Sequence, residues 1–195
     1  MRDDVIVGGD GRPRCGWAGD AGSASARYHD QVWGTRTYEE SALFEALTLG
    51  VFEAGLSWQV VFSKREGFQD AFGDFDVETV AAMSEADVDR LVTDASIIRN
   101  RAKIQATLEN ARAMSSASPT LSALAKTYAT GHKRSPRSFA EIPVSTPAAE
   151  SLAKQLKSQG YRFVGPTSVY AFMQNVGIVN DHLHGCFRAS DSGGG

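Results

Sequence analysis

The feature that most constrains the fold is a helical spacing of apolar residues, interrupted by residue types that start and stop helices. Thr37–Glu40 has the pattern of a capping box, in which a threonine and a glutamate three residues later bond each other's backbone N–H groups. The apolar residues that follow recur on one helix face, and they are Leu43, Phe44, Leu47 and Val51. Gly55 is the residue type that most often ends a helix.

Similar signals recur along the rest of the chain. They predict a short helix from Asp76 to Met83, a second capped by Ser84–Asp87, a third that starts at Thr146-Pro147 and ends at Gly160, and a last one from Thr167 or Ser168 to about Gly177. Residues 115–138 are rich in Ser, Ala, Thr and Pro, and we expect a helix there around Leu121–Tyr128. No alternation is long enough to indicate a sheet. The predicted fold class is all-α.

The two ends differ in composition from the rest. Residues 1–12 and 189–195 are polar and Gly-rich, so we expect both to be disordered and residues 13–188 to form one domain. The sequence has no apolar run long enough to span a membrane and no apolar signal core after Met1. We therefore expect a cytoplasmic protein without a membrane partner, acting as a monomer.

Overall charge does not favour nucleic-acid binding. The formal net charge is -3, whereas non-specific DNA binders usually carry a broad positive surface. Charge alone favours a small-molecule enzyme, and any contact with DNA has to come from a local patch.

Two cysteines and two histidines near the chain ends suggest a metal site. Cys15 is followed by His29, and His182 precedes Cys186 by four residues, which would place that pair on one helix face. Two thiolates and two imidazoles form a closed tetrahedral zinc set, which leaves no open position for a substrate and so argues against a catalytic zinc. The residues alone leave three alternatives open: buried thiols, a disulfide, or His184 in place of His182.

A series of short motifs appears in a characteristic order. They are Arg14-Cys15-Gly16-Trp17, Tyr28-His29-Asp30 with Trp33-Gly34, Ala54-Gly55-Leu56-Ser57-Trp58, Ser145-Thr146-Pro147, Phe163-Val164-Gly165-Pro166-Thr167, and Asn180-Asp181-His182 with Gly185-Cys186. Residues 14–187 thereby resemble the bacterial 3-methyladenine DNA glycosylase I family. The resemblance implies a helix–hairpin–helix glycosylase fold and a monofunctional enzyme that flips 3-methyladenine out of alkylated double-stranded DNA and removes it. It also implies one structural zinc ion, held by Cys15, His29, His182 and Cys186.

The segment Asp94–Lys103 resembles the hairpin of the family's helix–hairpin–helix, which would extend over about residues 86–114. Backbone N–H groups at such a turn bind a DNA phosphate. The resemblance implies DNA contacts by Ile97, Ile98, Arg99, Arg101 and Lys103, whereas the residues alone equally describe a solvated helix start. Ser96 replaces the family's usual glycine, and serine resists a positive φ, so we expect an altered turn. We interpret a second basic cluster, His132-Lys133-Arg134 with Arg137, as a solvated loop.

Three aromatic residues match the family's pocket for the flipped base: Tyr28, Trp33 and Trp58. Aromatic faces suit a cationic purine, although such residues are ordinarily core residues. Leu56, in the loop 54–57, is the candidate for the side chain that fills the gap left by the flipped nucleotide. The alternative is a buried leucine at a helix end.

One position departs from the family. The family has a glutamate that contacts the base just before the Ala-Gly-Leu-Ser-Trp motif, and here that place is held by Gly50. Glu53 lies three residues on and shares a helix face with it, so we expect Glu53 to act as the catalytic carboxylate. In the alternative, Glu53 is a surface acid and the pocket selects the base by shape and stacking only. Because Gly50 replaces the family's glutamate, a second alternative for the whole protein is an altered lesion preference, or binding of alkylated DNA without excision.

Overall fold

The computed structural model describes residues 4–129 and 136–189. Within them the strands are β1 (Val5–Val7) and β2 (Pro13–Cys15), and the helices are α1 (Ala24–Gln31), α2 (Glu40–Glu53), α3 (Trp58–Phe62), α4 (Arg65–Ala71), α5 (Val77–Ala81), α6 (Glu85–Leu91), α7 (Arg101–Ser116), α8 (Leu121–Tyr128), α9 (Pro147–Ser158) and α10 (Pro166–Asn175). Short 3-10 helices lie at Gly16–Ala18, Gly73–Phe75 and Phe139–Glu141. The chain is thus mostly helical, as predicted.

A small sheet near the first described residues adds two short strands to the otherwise helical fold and corrects the predicted disorder for residues 4–12. β1 pairs antiparallel with β2, with Val5 opposite Cys15 and Val7 opposite Pro13. The connecting turn is closed by a hydrogen bond from the Gly11 N–H to the Gly8 carbonyl at 2.9 Å, and Gly11 has a φ of 76° that glycine adopts without strain. The glycines that suggested disorder therefore form a turn. Residues 1–3 and 190–195 lie outside the described residues.

Helix α2 is the centre of the main core. It packs against α3, α5, α7, α8 and α10. The predicted stripe of Leu43, Phe44, Leu47 and Val51 is fully or almost fully buried, and Thr48, Leu49, Gly50 and Phe52 are buried as well. A helix enclosed on most sides has a wider apolar face than a surface helix.

The predicted capping box at the start of α2 is wrong. The helix starts at Glu40 with Glu39 as its N-cap, and the Thr37 hydroxyl accepts only the Glu39 N–H, at 3.3 Å. The cause is tertiary: the Thr37 N–H donates to the Val176 carbonyl at 3.2 Å, which holds this segment extended against the end of α10.

Most of the other predicted helix boundaries are confirmed. Ser84 and Asp87 form a capping box at α6, the Thr146 hydroxyl caps α9, and Gly55 follows α2 with a φ of 80°. The predicted helix at Leu121–Tyr128 is α8. The last helix starts at Pro166, one residue earlier than predicted.

The last described segment returns to the first strands and builds a second, smaller core. Cys15, Leu183 and Cys186 are buried together there, apart from the main core around α2. No helix in the described ranges is both long and apolar enough to cross a membrane.

Candidate functional site

Four candidate metal ligands meet in the smaller core. The ligand atoms of Cys15, His29, His182 and Cys186 lie within 4.8 Å of one another, and all four residues are buried. Cys186 Sγ lies 3.4 Å from His29 Nε2 and 3.7 Å from His182 Nδ1, and Cys15 Sγ lies 3.8 Å from His182 Nδ1. Tetrahedral zinc, with bonds of about 2.3 Å to sulfur and about 2.0 Å to nitrogen, spaces its donor atoms about 3.3–3.8 Å apart. The cluster has the donors and the spacing that such an ion needs.

The second ring nitrogen of each histidine has its own partner. His29 Nδ1 donates to Asp30 Oδ1 at 2.9 Å, and His182 Nε2 donates to the Trp33 carbonyl at 3.2 Å. These bonds fix the tautomer in which His29 Nε2 and His182 Nδ1 point lone pairs into the cluster.

Arg14 holds the outer carboxylate in place. It is almost fully buried and donates to Asp30 Oδ2 from Nη2 at 2.7 Å and to Asp10 Oδ1 from Nη1 at 2.8 Å. Burial would raise the pKa of Asp30, but hydrogen bonds from Arg14 and His29 outweigh it and lower that pKa. Asp30 is therefore an anion that orients His29.

Backbone N–H groups donate hydrogen bonds to both cysteine sulfur atoms. The Leu183 N–H donates to Cys15 Sγ at 3.3 Å, and the Arg188 N–H donates to Cys186 Sγ at 3.4 Å. Hydrogen bonds to a thiolate favour the charged form that binds a metal.

Two of the three alternatives at this cluster, the disulfide and His184, are contradicted, whereas both cysteines are buried thiols. The two cysteines are free rather than disulfide-bonded. His184 is exposed and outside the cluster, and its N–H donates to the Pro136 carbonyl at 2.8 Å. The expected helix face is also wrong: His182 and Cys186 lie on a turn, where Gly185 has a φ of 91° and the Cys186 N–H donates to the Leu183 carbonyl at 2.9 Å.

A cavity walled by tryptophans adjoins the metal cluster. It has a volume of about 230 Å³ and is lined by Trp17, Trp33, Trp58, Gln59, Phe139, Ile142 and Gln174. The Trp17 ring lies 5.2 Å from both the Trp33 and the Trp58 rings, in edge-to-face geometry. Trp17 belongs to the motif Arg14–Trp17, but no role was predicted for it from the sequence. Its position two residues after Cys15, a candidate metal ligand, was the available signal.

Tyr28 lies behind this cavity rather than in it. Its ring packs against Trp58 at 5.1 Å and Phe62 at 4.4 Å, and its hydroxyl donates to Asn175 Oδ1 at 3.2 Å. Burial raises the pKa of Tyr28, so the hydroxyl stays a proton donor. Tyr28 lines an adjacent cavity of about 200 Å³ together with Glu45 and Arg65.

The carboxylates near Tyr28 differ in availability. Glu45 accepts two hydrogen bonds from Arg65, at 2.7 and 2.8 Å. Glu53 is half-buried, and its carboxylate forms no hydrogen bond or ion pair within the part of the chain that the structure describes. Burial raises the pKa of Glu53. Gly50 is buried beside α10, where an added Cβ would meet only the Ser168 carbonyl, at 3.9 Å.

The candidate wedge is exposed. Leu56 has 43% of its surface accessible, which contradicts the alternative of a buried helix-end leucine. Its N–H donates to the Glu53 carbonyl at 2.8 Å, and Gly55 before it turns the chain with a φ of 80°.

The predicted hairpin residues divide into exposed and buried ones. Arg99 is exposed and Ile98 is half-buried. Ile97 is 2% exposed, so its side chain packs in the main core, and a DNA contact by its backbone stays a prediction. Arg101 forms ion pairs with Glu85 and Asp89, which offset its positive charge. Lys103 is only 7% exposed, and its ammonium donates to two backbone carbonyls, so it is corrected from a DNA contact to an internal one.

Ser96 does not strain the hairpin. It is not among the residues with a positive φ, and its N–H and hydroxyl both donate to Asp94 Oδ1, at 2.8 and 2.6 Å. The expectation of an altered turn rested on a left-handed conformation that this residue does not adopt. In the second basic cluster, 132–134 lies outside the described residues, and the N–H of the exposed Arg137 donates to Glu141 Oε2 at 2.9 Å.

Comparisons with known proteins give a consistent result. A family model described as "Methyladenine glycosylase" matches residues 17–189. The DNA-3-methyladenine glycosylase 1 of Escherichia coli (strain K12) is 43% identical over 178 residues, which cover 89% of this chain and 95% of the relative. A crystal structure of 3-methyladenine DNA glycosylase I has a TM-score of 0.83 at 42% identity and covers 89% of this chain and 98% of that chain. A tyrosine-to-phenylalanine variant of such an enzyme, in complex with 3-methyladenine, has a TM-score of 0.80 at 32% identity over 88% of this chain and 95% of that one.

Proposed function

Because the chain belongs to the methyladenine glycosylase family, we propose that it removes 3-methyladenine from alkylated double-stranded DNA by hydrolysing the N-glycosidic bond. The observation that carries the proposal is the tryptophan-walled cavity of about 230 Å³ beside the metal cluster. A flipped purine needs a pocket of aromatic and apolar side chains.

Cleavage of the N-glycosidic bond of 3-methyladenine requires little catalysis beyond binding of the flipped base, because the base is already activated as a leaving group. 3-Methyladenine in DNA is cationic, and aromatic faces bind a desolvated cation with about 1–3 kcal/mol each. When the bond from the sugar C1′ to the purine breaks, the bonding electrons stay with the base, which leaves neutral. Water then adds its oxygen to C1′ and releases a proton.

Glu53 is the carboxylate that we assign to the bound base. It has no competing partner among the described residues, whereas Glu45 is engaged by Arg65. Burial raises the pKa of Glu53 in the free protein, and a cationic purine nearby would favour its ionised form. Glu53 would in turn favour the charged lesion over neutral bases.

On the DNA, Leu56 would fill the space that the flipped nucleotide leaves, because an exposed apolar side chain on a tight turn can replace lost stacking. Arg99, exposed at the hairpin, would contact a phosphate. One copy of the chain carries all of these residues, so we propose that it acts as a monomer.

We also propose that one zinc ion binds Cys15, His29, His182 and Cys186. The donor spacings and the bound outer nitrogens of both histidines support it. Four protein ligands leave no open coordination position, so the ion would stabilise the junction of β2 with the last segment and take no part in the reaction.

The direct test is base release from methylated duplex DNA, with the released bases separated by chromatography. We expect 3-methyladenine as the main product and a large loss of release with Trp58→Ala. Val144→Ala, at a loop residue that is 78% exposed, is the matched surface control. Binding to methylated DNA without base release would overturn the proposal in favour of a non-catalytic binder.

The role of Glu53 is tested separately with Glu53→Gln and Gly50→Glu. Glu53→Gln keeps the size of the side chain and removes its charge, so we expect slower release. Gly50→Glu places a carboxylate at the family's usual position, and we expect it to restore release in the Glu53→Gln background. An unchanged rate for Glu53→Gln would remove Glu53 from the mechanism.

A further inference from the structure

Lys103 is a buried lysine whose ammonium group does not contribute to the charge of the protein surface. It lies in the first turn of α7, is 7% exposed, and points into the protein rather than towards solvent. Its Nζ donates to the Phe52 carbonyl at 2.8 Å and to the Ala54 carbonyl at 2.5 Å. Burying an ammonium is costly, so it persists where fixed acceptors replace the lost water.

One acceptor, the Phe52 carbonyl, belongs to the last turn of α2, and the other belongs to Ala54, the residue that directly follows the helix. Carbonyl groups at a helix C-terminus have no partner within the helix, and the helix dipole favours a positive charge there. Lys103 supplies the missing donors from another helix, about fifty residues away in the sequence. The backbone of Lys103 is itself fixed, since its N–H donates to the Asn100 side chain at 3.2 Å and its carbonyl accepts from the Thr107 hydroxyl at 3.0 Å.

The segment that leaves α2 at this point is the loop 54–57. It carries the exposed Leu56 and leads directly into α3, whose first residue is Trp58. Gly55 has a positive φ. Among the described residues, the turn is closed by one internal backbone hydrogen bond, from the Leu56 N–H to the Glu53 carbonyl. Lys103 therefore clamps the fixed end of the loop to the hairpin helix.

We propose that Lys103 is a positioning residue for base flipping: it holds the loop 54–57, and so Leu56, in a fixed relation to the hairpin that grips the DNA backbone. This inference rests on the proposed function. It assigns Lys103 no contact with phosphate and no contact with the base.

The test uses Lys103→Met, which keeps most of the side-chain volume and removes the ammonium. We expect the single-turnover excision rate of the folded protein to fall about tenfold to a hundredfold, as for other small displacements of a reacting group. The slope of log DNA affinity against log salt concentration should not change. The loss of a phosphate contact would lower that slope by about one, and the proposal assigns Lys103 no such contact. Lys154→Met, which removes an exposed lysine from α9, is the matched control and should change neither quantity.

A double-mutant cycle with Leu56→Ala separates positioning from general destabilisation. If Lys103 acts through the wedge, adding Lys103→Met to Leu56→Ala should lower the rate little further. Independent, multiplicative losses would overturn the proposal, and so would an unchanged rate or a reduced salt slope for Lys103→Met alone. Lack of excision by the parent protein would instead refute the proposed function.

Discussion

Gly34 allows the sharpest test of the metal cluster. It has a φ of 73°, and a Cβ at this position would lie 2.8 Å from His182 Nε2 and 3.1 Å from His182 Cδ2. Gly34→Ala therefore has two consequences: a left-handed alanine, and a displaced His182, one of the four candidate metal ligands. His182 cannot yield easily, because its Nε2 bonds the Trp33 carbonyl at 3.2 Å.

The two effects have separate magnitudes. A left-handed alanine costs about 1–2 kcal/mol. Relief of the contact requires the imidazole to retreat by about 0.6 Å, well beyond the tolerance of about 0.2 Å for a metal–ligand bond. Disturbing a ligand's support lowers metal affinity about tenfold to a hundredfold, which adds about 1.4–2.7 kcal/mol when free zinc is well above both dissociation constants. We expect Gly34→Ala to lose about 2.4–4.7 kcal/mol of unfolding free energy with excess zinc, and only the backbone part of about 1–2 kcal/mol without zinc.

Gly22→Ala is the matched control. Gly22 has a φ of 84°, but an added Cβ would meet nothing within 4 Å. Zinc affinity is measured by competition with a chromophoric chelator, and stability by urea unfolding followed by circular dichroism with and without excess zinc. Both variants should show the backbone cost, and only Gly34→Ala should lose zinc affinity. Equal affinity in the two variants would refute the reasoning.

Three further predictions concern the helix α2 and the aromatic cavity. Gly50→Ala should raise the unfolding free energy by about 0.5–1 kcal/mol and the Tm by a few degrees, because the helical glycine has room for a methyl group; a lower Tm in calorimetry would contradict this. Burial raises the pKa of Glu53, so the parent binds more protons when folded than when unfolded, and its stability should fall relative to Glu53→Gln as pH rises from about 4 through that raised pKa. Parallel stability–pH curves for the two proteins would argue against an unpartnered carboxylate. Trp17→Ala should slow excision about tenfold to a hundredfold, from the loss of about 1–3 kcal/mol of stacking on the base, and an unaffected rate would place Trp17 outside the pocket.

Sequence reasoning worked where the governing interactions are local. The caps at Ser84 and Thr146 depend on residues three positions away, and the structure confirms both. The cap at Thr37 failed because a distant partner, the Val176 carbonyl, holds that residue outside the helix. Local patterns do not encode such tertiary bonds.

The candidate site was predicted in the same uneven way. The four candidate metal ligands do meet, although the resemblance to a family indicated them more specifically than their spacing did. From its place in a basic stretch, Lys103 was predicted to be a surface cation. Nothing nearby in the sequence indicates that its ammonium donates to the carbonyls of Phe52 and Ala54. Trp17 was likewise missed, because the residues that complete its cavity come from several distant segments.

The tryptophan cavity has a practical consequence. The sequence contains 3 tryptophans, and all three line this one cavity. The Trp33 ring also lies 4.4 Å from the His182 ring of the metal cluster. The tryptophan emission of the protein therefore originates entirely at the site, so an unlabelled sample reports occupancy of the pocket and integrity of the cluster through the same optical signal.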